Sequence, residues 1–142
     1  MRNLILSLII LFPLLLQAQT NNSGTFKVRK INSTVVEEAV YTVVESMPQF
    51  SGGDNALFQF LSDNTVYPPE AKANGISGTV FVSFIIGKDG TVYNTIIVRG
   101  VDELLDNEAL RIIKLMPKWI PGRNKGQPVD VIYNLPIKFV LK

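Results

Sequence analysis

The side chains with the best claim to chemistry are an acidic cluster, Asp102, Glu103, Asp106 and Glu108, and a lysine bracketed by glycines in Gly87-Lys88-Asp89-Gly90. The first is the kind of grouping that holds a divalent cation, and the second the kind that cradles a phosphate. Neither meets its own requirements. A calcium loop needs ligands at fixed spacing and a loop glycine, and the cluster has neither. Carboxylates are expected at the start of a helix, where they face the positive end of the dipole. A phosphate loop needs earlier glycines and a Ser or Thr after its lysine, so Gly87 to Gly90 reads as a turn. The chain has no histidine and no cysteine, which removes Ser-His and Cys-His pairs, thiolate chemistry and disulfides. Paired carboxylates for glycoside work need a cleft larger than a domain of this size offers. The chain therefore reads as non-enzymatic, with no metal site and no cofactor.

What remains is the chemistry of the backbone. From Val129 to Leu141 every odd position is apolar: Val129, Val131, Tyr133, Leu135, Ile137, Phe139 and Leu141. The even positions, Asp130, Ile132, Asn134, Pro136, Lys138 and Val140, are mixed. Period two makes this a strand with its odd set toward the core. Pro136 has no N–H, so the even residues direct their backbone groups away from the neighbouring strand, which places the strand at an edge or bulges it at Pro136. An unpaired edge accepts an extended peptide. The candidate partner-binding residues are Val129, Asp130, Val131, Ile132, Tyr133, Asn134 and Leu135, with Ile132 and Asn134 contributing specificity.

The strand needs a sheet, and Gly78 to Arg99 supplies it as a hairpin. Val80, Val82, Phe84 and Ile86 form an apolar even set in the first run; Val92, Ile96 and Val98 do so in the second, interrupted by Asn94. Asp89-Gly90 provides the positive φ of a tight connection. On the opposite face Phe81, Ile85, Tyr93 and Ile97 would make an apolar patch, the basis of an alternative reading as a non-enzymatic envelope assembly module that dimerises through its sheet face.

The elements around the sheet follow in order. Residues 1–18 read as an export signal, with Arg2, an apolar run from Leu4 to Leu16 and a cleavage site before Gln19. A run of thirteen residues reaches only about 20 Å, short of the ~30 Å hydrocarbon core, so no stable membrane span is expected after cleavage. Retention of the signal would mean inner-membrane attachment. No cysteine follows the run, which excludes a lipid anchor. Residues 19–39 read as a flexible leader and 40–142 as the folded domain. A short strand is expected over Val40 to Glu45, and helices over Asp54 to Leu61, Glu70 to Asn74 and Asp102 to Met116. Trp119 reads as a core plug, and Gly122 to Pro128 as a loop. With 142 residues, 46% hydrophobic, the chain suits one domain. Its formal charge of +2 lacks the basic surplus of a nucleic-acid binder. Charge is nevertheless uneven: 3 basic and 11 acidic residues lie from Ile31 to Leu110, against 7 basic and Asp130 alone from Arg111 onward.

The order of these motifs resembles the C-terminal domain of TonB, the periplasmic energy transducer of Gram-negative envelopes. The residues that carry the likeness are Tyr67-Pro68 with Ala71, Gly78 to Phe84, Asp89-Gly90-Thr91-Val92, Ala109, Met116-Pro117-Lys118-Trp119, Pro121-Gly122, and Pro136, Ile137 and Phe139. Met47 to Gly53 is similar to an upstream extension found in a subgroup of such domains. The resemblance implies a small two-layer α+β domain, an antiparallel three-stranded sheet with helices packed on one face. It also implies a periplasmic location and a last strand that pairs with a segment of an outer-membrane TonB-dependent transporter in energy-coupled uptake. No nucleic-acid or small-molecule partner is implied.

Overall fold

The computed structural model describes residues 24–31 and 34–142, so the export signal expected over 1–18 lies outside the described residues. Two strands come first, β1 (Gly24–Ile31) and β2 (Thr34–Tyr41), followed by the helices α1 (Asp54–Asn64) and α2 (Pro69–Ala73). The hairpin β3 (Gly78–Ile86) and β4 (Val92–Arg99) leads to α3 (Glu103–Lys114), then to the short β5 (Gly122–Asn124) and the long β6 (Gln127–Phe139). The sheet runs β1-β2-β6-β3-β4, with β5 also paired to β6. It is mixed rather than purely antiparallel, because β2 meets β6 in parallel at Val40↔Asp130 and Tyr41↔Val131. The segment expected to be a leader thus carries β1 and β2. The strand expected over Val40 to Glu45 ends at Tyr41, and Val43 is exposed.

Parity holds where the backbone stays regular. In β3 the even side chains Val80, Val82, Phe84 and Ile86 are fully buried, and in β6 the odd ones Val131, Leu135, Ile137 and Phe139 are buried against them. β4 breaks the rule. Asn94 sits at φ 56, and the β3–β4 register slips between Ser83 and Ile85 and again between Phe81 and Val82. An extra residue reverses every later side chain. Ile97 therefore packs on the core, while Ile96 and Val98, expected inside, are 60% and 62% exposed.

The helices cover one face. α3 presents Leu105, Ala109, Ile112 and Ile113 inward, fully buried, each Leu or Ile contributing roughly 1.5–3 kcal/mol. Asp102 caps it by accepting a hydrogen bond from the Leu104 amide at 2.9 Å, the helix-start role expected for the acidic cluster. α1 is longer than expected by a turn, and Thr65 closes it, its amide and hydroxyl both donating to the Leu61 carbonyl. α3 and α1 are tied by Glu108, whose carboxylate accepts from Arg111 Nε and Nη2 and from the Val66 amide, at 2.7 to 2.8 Å. Arg111 Nη2 also donates to the Asn64 carbonyl. Burial acts to raise the Glu108 carboxyl, but the hydrogen bonds from Arg111 and Val66 outweigh it and hold the group below its ordinary range.

Gly90 turns the β3–β4 hairpin at φ 86, donates to the Gly87 carbonyl and accepts from the Trp119 amide at 2.9 Å. A Cβ there would meet the Trp119 carbonyl oxygen at 2.1 Å. Gly90→Ala should destabilise the domain by more than about 2 kcal/mol, read from urea unfolding, because both the left-handed backbone and the contact oppose it. The Glu108 carboxylate contributes stability above its unfolded pKa of about 4.3, and that contribution fades as pH falls through the lower folded value. Glu108→Gln should therefore cost about 1–3 kcal/mol at neutral pH and flatten the fall in stability below about pH 4.3, measured by thermal melts across pH.

Candidate functional site

The residues expected to bind a partner divide into two groups. On one side β6 pairs with β3 from Val131↔Ile86 to Phe139↔Gly78 in an unbroken antiparallel register. Around its start β6 has other neighbours: Val129 pairs with Gly122 of β5, Asp130 with Val40, and Val131 with both Tyr41 and Ile86. The expectation of a free edge over 129–131 is thus corrected, since Val129 is already paired with β5 and Asp130 and Val131 meet the distant β2. From Ile132 to Phe139, β6 has no second strand partner among the described residues. Ile132, Tyr133, Asn134 and Leu135 border on β3 alone, opposite Ile85, Phe84, Ser83 and Val82.

Pro136 lies opposite Phe81. In an antiparallel ladder alternate pairs exchange no hydrogen bonds, and a residue without an N–H fits such a pair. Even residues of β6 therefore point their backbone groups to the side away from β3, where Asn134 and Lys138 have donors and acceptors to offer. The loop expected over Gly122 to Pro128 is a tight hairpin between β5 and β6, with Lys125 and Gly126 both at positive φ.

Side chains fix this edge from beneath. Tyr133 packs on Trp119 and Phe84, with ring centroids 5.0 and 5.7 Å away. Burial, with the negative charge of Asp54 added, pushes the Tyr133 phenol above its ordinary pKa. Trp119 is the core plug expected of it, 4% exposed and also in ring contact with Phe50. Asp130 braces the strand to the hairpin: Oδ1 accepts from the Lys88 amide at 2.7 Å and Oδ2 from the Tyr93 hydroxyl at 2.8 Å. Its spacing gave no hint of this, because the partners lie 42 and 37 positions away.

The other residues singled out in the sequence are structural. The Tyr67 hydroxyl donates to the Ile76 carbonyl and its ring meets Phe139 edge-on at 5.8 Å. Pro68 caps α2, and Gly78 opens β3. Asp89 accepts from the Thr91 amide and hydroxyl, which hold its carboxyl below the usual range. Pro121 precedes Gly122, where a Cβ would stand 2.7 Å from Val131 Cγ2, so only glycine allows β5 to reach β6 so closely. The apolar patch of Phe81, Ile85, Tyr93 and Ile97 is not assembled. Ile97 turns inward after the Asn94 bulge, Ile85 is 7% exposed, and the Tyr93 hydroxyl is held by Asp130. Among the described residues no group of three or more His, Cys, Asp or Glu could hold a metal ion, and no helix is long and apolar enough to cross a membrane.

The chain is thus a small α+β domain that presents backbone along one strand. Residues 63–141, more than half of the chain, match the family described as Gram-negative bacterial TonB protein C-terminal, and the chain belongs to that family. Two solution NMR structures of Helicobacter pylori TonB-CTD are similar to it, both at 30% identity and a TM-score of 0.47. The match covers 61% of this chain and 78% of that chain in one case, and 62% and 92% in the other. No curated protein matches the chain. Its general role is the family's, that of a non-enzymatic adaptor of the energy-transducer class.

Removing the brace at Asp130 should loosen the start of β6. Asp130→Ala is expected to cost about 1–3 kcal/mol in urea unfolding and to speed hydrogen exchange of the Lys88 amide, while the α3 amides stay as protected as in the parent.

Proposed function

We propose that this domain works in the periplasm, docking the periplasmic segment of an outer-membrane TonB-dependent transporter by strand addition and so supporting energy-coupled uptake. The docking strand is β6 from Ile132 onward, so it starts three residues later than the 129–135 span read from the sequence. The observation that carries this reading is the regular register of β6 with β3 over 131–139, with no second strand partner beyond Val131 among the described residues. A straight, half-paired strand anchored by a buried core face is a preformed template for an extended chain, and main-chain bonds then supply affinity. Family membership supports the class of partner, and the pattern of residues 1–18 supports the compartment. On the outward face Ile132 and Asn134 stand beside the incoming strand and contribute specificity.

The test uses the parity that Pro136 imposes. With a peptide copied from a transporter's periplasmic segment, the Asn134 and Lys138 amides, which point to the open side, should gain at least tenfold protection from hydrogen exchange. Those of Tyr133, Leu135 and Ile137, already bonded to β3, should change little. Unchanged exchange at Asn134 and Lys138 at the highest soluble peptide concentration would remove this mode of docking.

A further inference from the structure

The bulges of β4 build a patch on the face of the sheet turned away from the helices. Val80, Val82, Phe84 and Ile86 of β3 lie in one core with Leu105, Ala109 and Ile112 of α3, so Thr79, Phe81, Ser83 and Ile85 line the opposite face. The register sets what stands beside them. Phe81 has Pro136 of β6 on one side and Arg99 of β4 on the other, with Val98 as the extra residue of the bulge. One row along, Ser83 lies between Asn134 and Ile96. The exposed Ile96 and Val98 thus join Phe81, itself 40% exposed, and the exposed Pro136. Adjacent strands are ~4.8 Å apart and same-face rows ~6.6 Å apart, so this apolar patch spans roughly 10 by 7 Å. Charge beside it has one sign. Arg99 stands in the Phe81 row and Lys138 one row beyond, opposite Thr79, and neither has an ion-pair partner among the described residues. The only acid of β3, β4 and β6 is Asp130, near the other end of β6, and its two oxygens are engaged by the Lys88 amide and the Tyr93 hydroxyl.

We propose that this face is a second interaction surface, separate from the backbone edge of β6, and that it takes an amphipathic helix of another protein whose apolar stripe is flanked by carboxylates. The charge on the face selects an acidic occupant. Residues 1–23 carry Arg2 as their one charged side chain and bring no acid to it. A second copy would set Arg99 and Lys138 against themselves across a two-fold axis, and the patch is far smaller than the ~800 Å² that each partner of a stable dimer buries. A helix fits the spacing: its residues i and i+4 rise ~6 Å, close to the ~6.6 Å between the Phe81 and Ser83 rows. One apolar residue of the partner then bears on Phe81, Val98 and Pro136 and the next on Ile96, while carboxylates on the turn beyond reach Arg99 and Lys138. The helices on the opposite face cover the same strands in this manner. A contact of this size is weak and reversible.

The probe is a capped helical peptide with a leucine stripe flanked by glutamates, compared with the same peptide carrying lysine for glutamate, each titrated into the isotope-labelled protein. The glutamate peptide should shift the amides of Phe81, Ile96 and Val98 and bind about tenfold more tightly than the lysine peptide at low salt, with the gap closing as ionic strength rises. Ile96→Thr with Val98→Thr, which keeps β-branched side chains on an exposed strand, should weaken it about tenfold and leave the urea midpoint where it is. Arg99→Glu with Lys138→Glu should reverse the order of the two peptides. Equal affinities for the two peptides, or no shift at the highest soluble concentration, would overturn the proposal. Shifts at these amides that grow with protein concentration in peptide-free samples would give the face to a second copy. Sedimentation with vesicles of phosphatidylglycerol and phosphatidylethanolamine that the double threonine variant abolishes would give it to a lipid surface. Slower hydrogen exchange at the Asn134 and Lys138 amides with the glutamate peptide would place that peptide on the strand edge, and each of these three results overturns the proposal as well. Strand addition is read at Asn134 and Lys138 and the helical partner at Phe81, Ile96 and Val98, so either reading can fail alone.

Discussion

One residue without an N–H orients the sheet. β6 must do two things at once: turn Val131, Leu135, Ile137 and Phe139 into the core, and bond its backbone to β3 over nine consecutive pairs. Pro136 can sit in such a strand only where β3 asks for no donor. That fixes which residues bond inward to β3 and which face the far side, and the same alternation places the apolar side chains under the helices. The core face and the free backbone side are thus set by one register. A slip of a single residue would expose the apolar set and put proline where a donor is needed.

The aromatic side chains carry this constraint into the body of the domain. Trp119 stands among Phe50, Phe84 and Tyr133, with centroids 5.0 to 5.8 Å away, and its amide is bonded to Gly90 at the hairpin turn. It links the turn, the entry to α1 and the exposed strand. Its indole Nε1 is buried without a hydrogen-bond partner among the described residues, a cost of about 1–3 kcal/mol that the surrounding ring contacts offset. The strand is therefore braced by packing from below, a preorganisation that the proposed docking would use.

How much of this was legible in the sequence depended on range. β3, β6 and α3 were legible because their signals are local: alternation in the strands, the apolar stripe of α3, and Asp102 at its cap. The outward turn of Ile96 and Val98 was not, because it follows from one added residue at Asn94, and period two has no memory across a bulge. Nor could the parallel contact of Tyr41 with Val131 be read, since nothing in either segment specifies a partner ninety positions away. That contact shortened the site from its amino-terminal end. Phe58 falls in the helix expected over Asp54 to Leu61, but its exposure depends on which flank of α1 faces α3 through Arg111 and Asn64, a tertiary matter.

The sheet has other edges, and their differences bear on the proposal that docking uses β6. β4 is outermost on its side, yet its two register slips leave its backbone irregular, and irregular edges resist pairing. β1 is regular, but among the described residues its one strand partner is β2, and β2 is held to β6 by two residue pairs. A chain pulling on β1 would load those two pairs. A chain paired with β6 would load a strand whose side chains form the core and whose other side is bonded to β3 along its length. If β6 is the docking strand as proposed, the chain it holds is anchored through the core rather than through two residue pairs.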